Sequence, residues 1–353
     1  MNKIFEIINY LLRFRRIYAF KKELVIKKRN CLFNGLDSKQ KHEIKSFWKK
    51  FGVNKFDIDW VDFYISNSGI YDKRYIPDDI YFSRIDSYYN DFIACKYIDD
   101  KNLYDLIFKD VNMPYTVARK VNGTYMDENY SILNEDEVLK ECLNSNSNLI
   151  VKPSVGSIGG RGIRFWDQNE NLESLKKALN VSSNLIIQKI VKQHKDLAIL
   201  HPESLNTIRI VTLFHNNSVQ FVSAVVRIGI NGSRVDNVSS GGLACGIDSD
   251  GCLKEYAFWG NGSKTKVHPQ GTVFKGRKIP SFDKCISMAT SLAMRIVRFS
   301  RLVSWDFSVD EEGAPVFIEA NMKVGGLDIH QMANGPLFGD KTEDILKEVF
   351  NKN

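Results

Sequence analysis

Apolar and polar positions alternate most clearly between Trp305 and Asn321. The run around Asp306 alternates, EEGAP supplies turn residues, and VFIEAN resumes the alternation, so this stretch predicts a β-hairpin. Side chains on a strand point to alternate faces, which puts Glu319 and Asn321 on one side and lets strand pairing bring Asp306 beside them. The helical spacing of KCISMATSLAMRIVRFS predicts a helix over 284–300 leading into the hairpin. LNTIRIVTLF and VQFVSAVVRIGI predict paired strands carrying Arg209 and Arg227, followed by a loop with Asn237 and Gly241–Gly242. Earlier in the chain, Leu149–Val151 reads as a buried strand ended by Lys152, and Ile163–Trp166 resumes an extended pattern. A helix follows over 170–180, and NLIIQKIVKQH is another buried strand, ending at Gln188 to Val191. Leu103, Leu106 and Ile107 form a short helical face closed by Asn112–Met113–Pro114, and residues 35–55 read as a helix entered at Asp37 or Ser38 and stopped by Gly52.

Length and composition add boundaries. A chain of 353 residues buries a large core and divides into two or three lobes. In residues 56–100 the aromatics, Tyr71, Tyr75, Tyr88 and Tyr89 among them, read as packing in preference to a glycan-binding surface. Six cysteines without a C-x-x-C pair favour reduced thiols in a cytoplasmic protein. The net charge of +7 is uneven: residues 1–55 hold fifteen Lys/Arg and four Asp/Glu, or +11, which leaves 7 minus 11, or −4, for the rest. This clustering at one end, with no recognition motif, argues against nucleic-acid binding. Within it, Ile4, Ile8, Leu11 and Leu12 precede Arg13, Arg15 and Arg16, a stripe too short to span a membrane. Two readings of residues 1–29 stay open: a basic amphipathic helix on an anionic membrane face, or a helix packed on its own fold.

Chemistry concentrates in two places. Two carboxylates and an amide oxygen at Asp306, Glu319 and Asn321 form an oxygen-only set suited to Mg²⁺, which takes its remaining ligands from water and substrate phosphates. Pro153 to Gly162 holds four glycines and two serines between two strands, a hairpin tip whose unshielded N–H groups can close over phosphates. It is not a Walker loop, because Lys152 precedes the glycines and the G-x-x-x-x-G-K-[ST] spacing is missing. Lys101 and Lys96 lie within reach of a phosphate, and the strand-borne arginines suit anionic oxygens through their fixed fork of donors.

Strand-end Lys152, the glycine-rich hairpin, the strand-to-hinge at Gln188, the DNxxSGG pattern after Arg227, and D-x12-E-x-N at Asp306, Glu319 and Asn321 together resemble the ATP-grasp superfamily. The likeness extends over about 96–340 and is strongest to its sugar-transfer-associated branch. It implies an α+β fold in which two α+β subdomains clasp a nucleotide, a nucleotide-lid subdomain over 96–195 and a metal-binding catalytic subdomain over 196–353, here with a basic helical and aromatic-rich N-terminal extension over 1–95. It further implies ATP and Mg²⁺ as cofactors, with Asp306, Glu319 and Asn321 as metal ligands. Lys101, Lys152, Ser154, Gly156, Ser157, Gly159, Gly160 and Gly162 would surround the phosphates, while Gln188, Lys189 and Val191 would hold adenine. Arg227, Arg209 and Asn237 would lie near the transferred phosphoryl group, and His330 would face an incoming amine as a general base. The resemblance implies an ATP-dependent carboxylate–amine ligase acting through an acyl phosphate, with a carboxylated sugar or glycan precursor and an amine as partners. An ATP-grasp kinase and a nucleotide-binding regulatory subunit are the alternatives. Two departures stand out: Gln188 replaces an acidic hinge residue, leaving Asp196 as the candidate for the ribose, and Ser304 stands where relatives carry an arginine, a charge that Arg209 can supply.

Overall fold

The computed structural model describes residues 2–350 apart from Ser157, Ile158 and Val324. In the first helix it describes the side chain of Arg15 and those from Ile17 onward. Two antiparallel sheets organise the chain. The smaller contains β1 (Thr116–Val121), β2 (Thr124–Met126), β3 (Ile132–Leu133), β4 (Leu149–Pro153), β5 (Arg164–Trp166) and β6 (Leu185–Lys189), in the order β3-β2-β1-β6-β4-β5. Helices Glu135–Asn144 and Leu172–Leu179 cover one face, where Val138, Leu139 and Leu175 pack with Val151, Trp166 and Ile187. Both helices start at an asparagine, Asn134 or Asn171, whose side chain accepts a backbone N–H of the first turn.

The larger sheet contains β7 (Thr207–His215), β8 (Ser218–Ile228), β9 (Leu243–Ile247), β10 (Leu253–Phe258), β11 (Lys264–Thr265), β12 (Leu302–Val309) and β13 (Pro315–Asn321), in the order β11-β10-β9-β8-β7-β12-β13. Its strands are apolar on both faces because both are covered. Ile208, Ile210, Trp305 and Phe307 pack beneath the helix Phe282–Ile296, while Val211, Leu213 and Leu302 face the N-terminal helices and the helices Leu327–Asn334 and Thr342–Phe350. The predicted hairpin is β12–β13, turning at 310–314.

Two boundaries differ from expectation. Residues 96–108, expected in the nucleotide-lid subdomain, pack in the core of the larger sheet through Ile98, Tyr104 and Phe108, beside Cys95. In that segment Leu106 is exposed. The buried side chains come from a single helical turn, Tyr104–Ile107, and its flank, where bulky aromatics outweigh a three-residue aliphatic stripe. The helix expected to run to 300 ends at Ile296, after which the chain bends into β12.

The aromatic region does pack. Tyr64 and Tyr75 stack with centroids 5.5 Å apart, the Tyr64 hydroxyl donates to buried Asp78, and Tyr89 is buried against Glu348. Helix Asn2–Asn30 lies on this layer through its second half, with Phe20 stacked on Phe82 at 4.3 Å and Leu24 and Lys27 buried. From Phe20 onward it follows the packed-helix reading. Among the described residues no helix is long and apolar enough to cross a membrane.

Candidate active site

Strand register assembles the site. Asp306 on β12 is the register partner of Arg209 on β7 to one side and of Glu319 on β13 to the other, so cation, carboxylate and carboxylate stand in a row across three strands. Arg209 grips Asp306 with two parallel bonds, Nε to Oδ1 at 2.8 Å and Nη2 to Oδ2 at 2.9 Å. Arg227 reaches across from β8, its Nη2 3.1 Å from the same Oδ2, and its other donors go to Thr207 Oγ1 and to Asn237 Oδ1 at 3.0 Å. Asn321 Nδ2 donates to Asp306 Oδ2 at 3.2 Å, and Lys101 Nζ lies 2.7 Å from Glu319 Oε1. Burial pushes the Asp306 carboxyl up, but Arg209 and Arg227 outweigh it and hold the group at about 2, ionised at every ordinary pH. Neighbouring Asp236, buried and hydrogen-bonded by Thr207, is raised by burial against the pull of Arg227.

This row lines one side of a cleft of about 1060 Å³ between the two sheets. Opposite stands Lys152, at the end of β4 and only 7% exposed, its backbone paired with β6 and its side chain making no hydrogen bond among the described residues. Burial, reinforced by the charge of Lys101, lowers its ammonium to about 8. Gln188 is buried nearby: its amide nitrogen donates to Pro114 O and Thr116 Oγ1, each at 3.3 Å, while its Oε1 is a buried acceptor without a partner among the described residues. Lys189, Ile190 and Val191 continue the wall, with Ile150, Phe165, Ile318 and Met322 supplying apolar surface.

The glycine-rich tip between β4 and β5 is folded down onto the larger lobe. Gly159 and Gly160 have φ of +65° and +77°, and a Cβ on either would approach Ser239 Oγ to 2.8 Å or Asn237 Nδ2 to 3.0 Å. Ser240 Oγ donates to Gly159 O at 3.1 Å, and Arg234 stacks on Phe165 at 4.0 Å. The tip therefore rests on the same 237–241 loop that orients Arg227.

The cleft brings together Lys101, Lys152, Gly156, Gly159, Gly160, Gln188, Lys189, Val191, Arg209, Arg227, Asn237, Asp306, Glu319 and Asn321. Other expected residues lie elsewhere. Ser154 is buried behind the strand end, where its carbonyl accepts from Lys101 N; Gly162 packs against Pro153; Ser157 lies outside the described residues. Asp196 is exposed in the short helix Lys195–Ala198, 3.6 Å from His194 Nδ1, because that turn points outward; Glu203 lines the cleft instead. His330 is a correction: helix Leu327–Asn334 turns it inward, where it is 1% exposed and Nδ1 bonds Ser223 Oγ at 2.9 Å. Burial lowers it to about 3, with Arg209 adding to the effect, so it is a neutral packed ring and faces no substrate. The two arginines also differ from expectation in that most of their donors are committed to protein oxygens. Pattern reading missed Glu23, Lys27, Trp259 and Asp328, which wall the far end of the cleft. Lys27 sits in a run of basic residues, and nothing in such a run distinguishes the one that becomes buried.

The donor set is of the kind that holds a divalent cation through hard oxygens, here with both Asp306 oxygens also accepting from arginines and Glu319 Oε1 paired with Lys101. Asp306, Glu319 and Asn321 offer two carboxylates and an amide on adjoining strands, and among the described residues no group of three or more His, Cys, Asp or Glu forms a rival site.

Two antiparallel α+β lobes closing on a cleft with a glycine-rich flap define the class as a nucleotide-clasping fold. The chain belongs to the sugar-transfer associated ATP-grasp family, whose model matches residues 83–347. No curated protein gives a significant sequence match. Among solved structures it is similar to a D-alanyl-alanine synthetase A from Vibrio cholerae, with 11% identity, a TM-score of 0.44, and coverage of 73% of this chain and 65% of that one. It is also similar to a biotin carboxylase from Campylobacter jejuni, with 12% identity, a TM-score of 0.45, and coverage of 74% and 48%. The chain thus spans less than two thirds of the length of either.

Two expectations follow. Gly160→Val should weaken seating of the flap by about 1–2 kcal/mol, the cost of a side chain in left-handed backbone. The check is hydrogen exchange, which should speed up at 159–162 and 237–241 with little change in melting temperature. His330, whose folded-state pKa is depressed, contributes stability that is full above about 6.5 and lost as pH falls towards about 3. Denaturant unfolding should show a loss of about 2 kcal/mol between pH 7 and pH 5 that is absent in His330→Asn.

Proposed function

We propose that the protein is an ATP-dependent ligase that joins an amine or amino acid to a carboxylated sugar or glycan precursor in surface-polysaccharide assembly, acting at the cytoplasmic side. The observation that supports this reading best is the Arg209–Asp306–Glu319 row facing Lys152 beneath the glycine flap. ATP would lie with adenine against Gln188 to Val191 and the apolar wall, the free Gln188 Oε1 accepting from its amino group. Its phosphates would lie between Lys152, Lys101 and the backbone of Gly156 to Gly160. Glu203 takes the place of Asp196 as the candidate for the ribose.

Asp306, Glu319 and Asn321 would hold Mg²⁺, which when bound supplies positive charge to the phosphate oxygens. The chain itself does the positioning. Arg227 and Arg209 fix the Asp306 carboxylate, Lys101 fixes Glu319, and the flap excludes water. The γ-phosphoryl group passes to the substrate carboxylate, releasing ADP. The amine then attacks the acyl phosphate, phosphate leaves, and the amine's proton passes to solvent or to the departing phosphate. The sugar component of this reading rests on the family description. The basic character of residues 1–29, nine Lys/Arg against two Asp/Glu, fits contact with an anionic membrane face that presents a lipid-linked glycan.

The test is ADP release with MgATP, a panel of free and nucleotide-linked uronic acids, and hydroxylamine. Carboxylate-dependent ADP release with hydroxamate formation is expected. A stable phosphorylated hydroxyl formed without any carboxylate would decide for a kinase, and no ADP under any condition for a regulatory subunit. Glu319→Gln should lower turnover by about 10²-fold or more at saturating Mg²⁺ with the fold intact; near-normal turnover would remove the metal assignment. Lys152→Met should weaken MgATP binding about tenfold, equivalent to about 1.4 kcal/mol. Because the ammonium titrates at about 8, calorimetric affinity in the unsubstituted protein should fall as pH rises above that value, and this dependence should vanish in the variant.

A further inference from the structure

The cleft is longer than the row of charged groups at its centre. Its far end is walled by Glu23 and Lys27 of the N-terminal helix, by the turn Trp259–Asn261 between β10 and β11, and by Asp328. Lys27 joins these pieces. It is 7% exposed, packs over the Phe63 ring at 4.7 Å, and places Nζ 3.2 Å from Gly260 O, 3.3 Å from Asp328 Oδ2 and 3.9 Å from Glu23 Oε1. Burial lowers its pKa, but Asp328, Asp78 and Glu23 together more than reverse this, so it stays charged.

Both anchor points of Lys27 lead to the residues that hold Asp306. Gly260 lies against Val238, where an added Cβ would come within 3.3 Å of Val238 Cγ1. Val238 follows Asn237, the partner of Arg227 and the seat of the flap. Asp328 lies in the first turn of the helix Leu327–Asn334, which is preceded by Gly326, where an added Cβ would stand 3.3 Å from Arg209 Nη1. A second clasp holds the same turn from the N-terminal layer: Lys264 Nζ donates to Asn67 O at 3.0 Å, and Gly262 has room for no Cβ beside Asn67 Oδ1.

We propose that this far end is the acceptor site and that Lys27 is its positioning residue, fixing the Trp259–Asn261 turn and Asp328 around the second substrate so that the N-terminal helix is part of the active cleft. The acceptor assignment rests on the ligase reading above. A nucleotide whose phosphates occupy the Lys152 side leaves this end for the amine. The carboxylates of Glu23 and Asp328 and the partly exposed indole of Trp259 suit an ammonium-bearing molecule there.

The experiment compares Lys27→Met, which keeps the apolar stem over Phe63, with Lys27→Arg, which restores a cation. Trp259 serves as reporter because the other four tryptophans, Trp48, Trp60, Trp166 and Trp305, are buried. Acrylamide quenching of the fluorescence lost in Trp259→Phe reads the position of the turn, and calorimetry with MgADP reads the nucleotide end. With hydroxylamine and the uronic acid that turns over fastest, Lys27→Met should raise the KM for hydroxylamine at least tenfold and increase Trp259 quenching. MgADP affinity should stay within about twofold, and Lys27→Arg should recover most of the hydroxylamine effect. Unchanged quenching and KM in Lys27→Met, or a loss of MgADP affinity as large as the loss of turnover, would overturn the proposal. If the unsubstituted protein gives no carboxylate-dependent ADP release, the ligase reading and the acceptor assignment fail together. Quenching and MgADP affinity then still decide whether Lys27 holds the wall.

Discussion

A single buried carboxylate sets the terms for the rest of the site. Asp306 is 1% exposed at the centre of the larger sheet, where an unpaired charge would be prohibitive. Arg209 and Arg227 make it tolerable by converging on it from two neighbouring strands. Removing one partner of such a group typically costs about 3–5 kcal/mol, because the charge left behind has no water to turn to. The register of β7, β8, β12 and β13 is thereby tied to the chemistry. A slip of one residue would send Asp306 to the face packed against helix Phe282–Ile296 and take from Arg209 the carboxylate it grips and from Arg227 one of its two.

The same network reaches outward. Arg227 is held by Asn237, the loop around Asn237 seats the glycine flap, and Val238 of that loop lies against the turn gripped by Lys27. The flap needs glycine at 159 and 160 both for the left-handed backbone and for its close approach to the loop. Lys152 faces this assembly from the other lobe with a weakened hold on its proton, as expected for an ammonium kept from water and placed near a second lysine. A phosphate group would relieve both penalties at once.

The N-terminal layer changes meaning in this setting. Its aromatic residues build a core continuous with one face of the larger sheet, and its first helix delivers Lys27 to the cleft. The layer lies largely before the segment matched by the family model. It is nevertheless joined to the matched segment by buried polar contacts, including the two bonds between Gln331 and the backbone of Ile76.

Much of this was legible in the sequence because it depends on short periodicities. Alternation marked β7, β8 and the β12–β13 hairpin, the separation of Asp306 from Glu319 predicted their juxtaposition, and the crowded glycines marked a flap. These are properties of a few consecutive residues, and local sterics decide them. What only the tertiary structure decided depends on which surfaces meet. His330 follows β13 closely in sequence, yet a helix turns it into the core. Asp196 carries a suitable charge on a turn that points away. The arginines were expected to face substrate, yet most of their donors go to Asp306, Thr207 and Asn237. Lys27, one of fifteen basic residues before position 56, is buried among carboxylates from positions 23, 78 and 328. Sequence carries the identity of each charge, but its surroundings come from segments hundreds of residues apart, and only folding fixes which charges end up out of water.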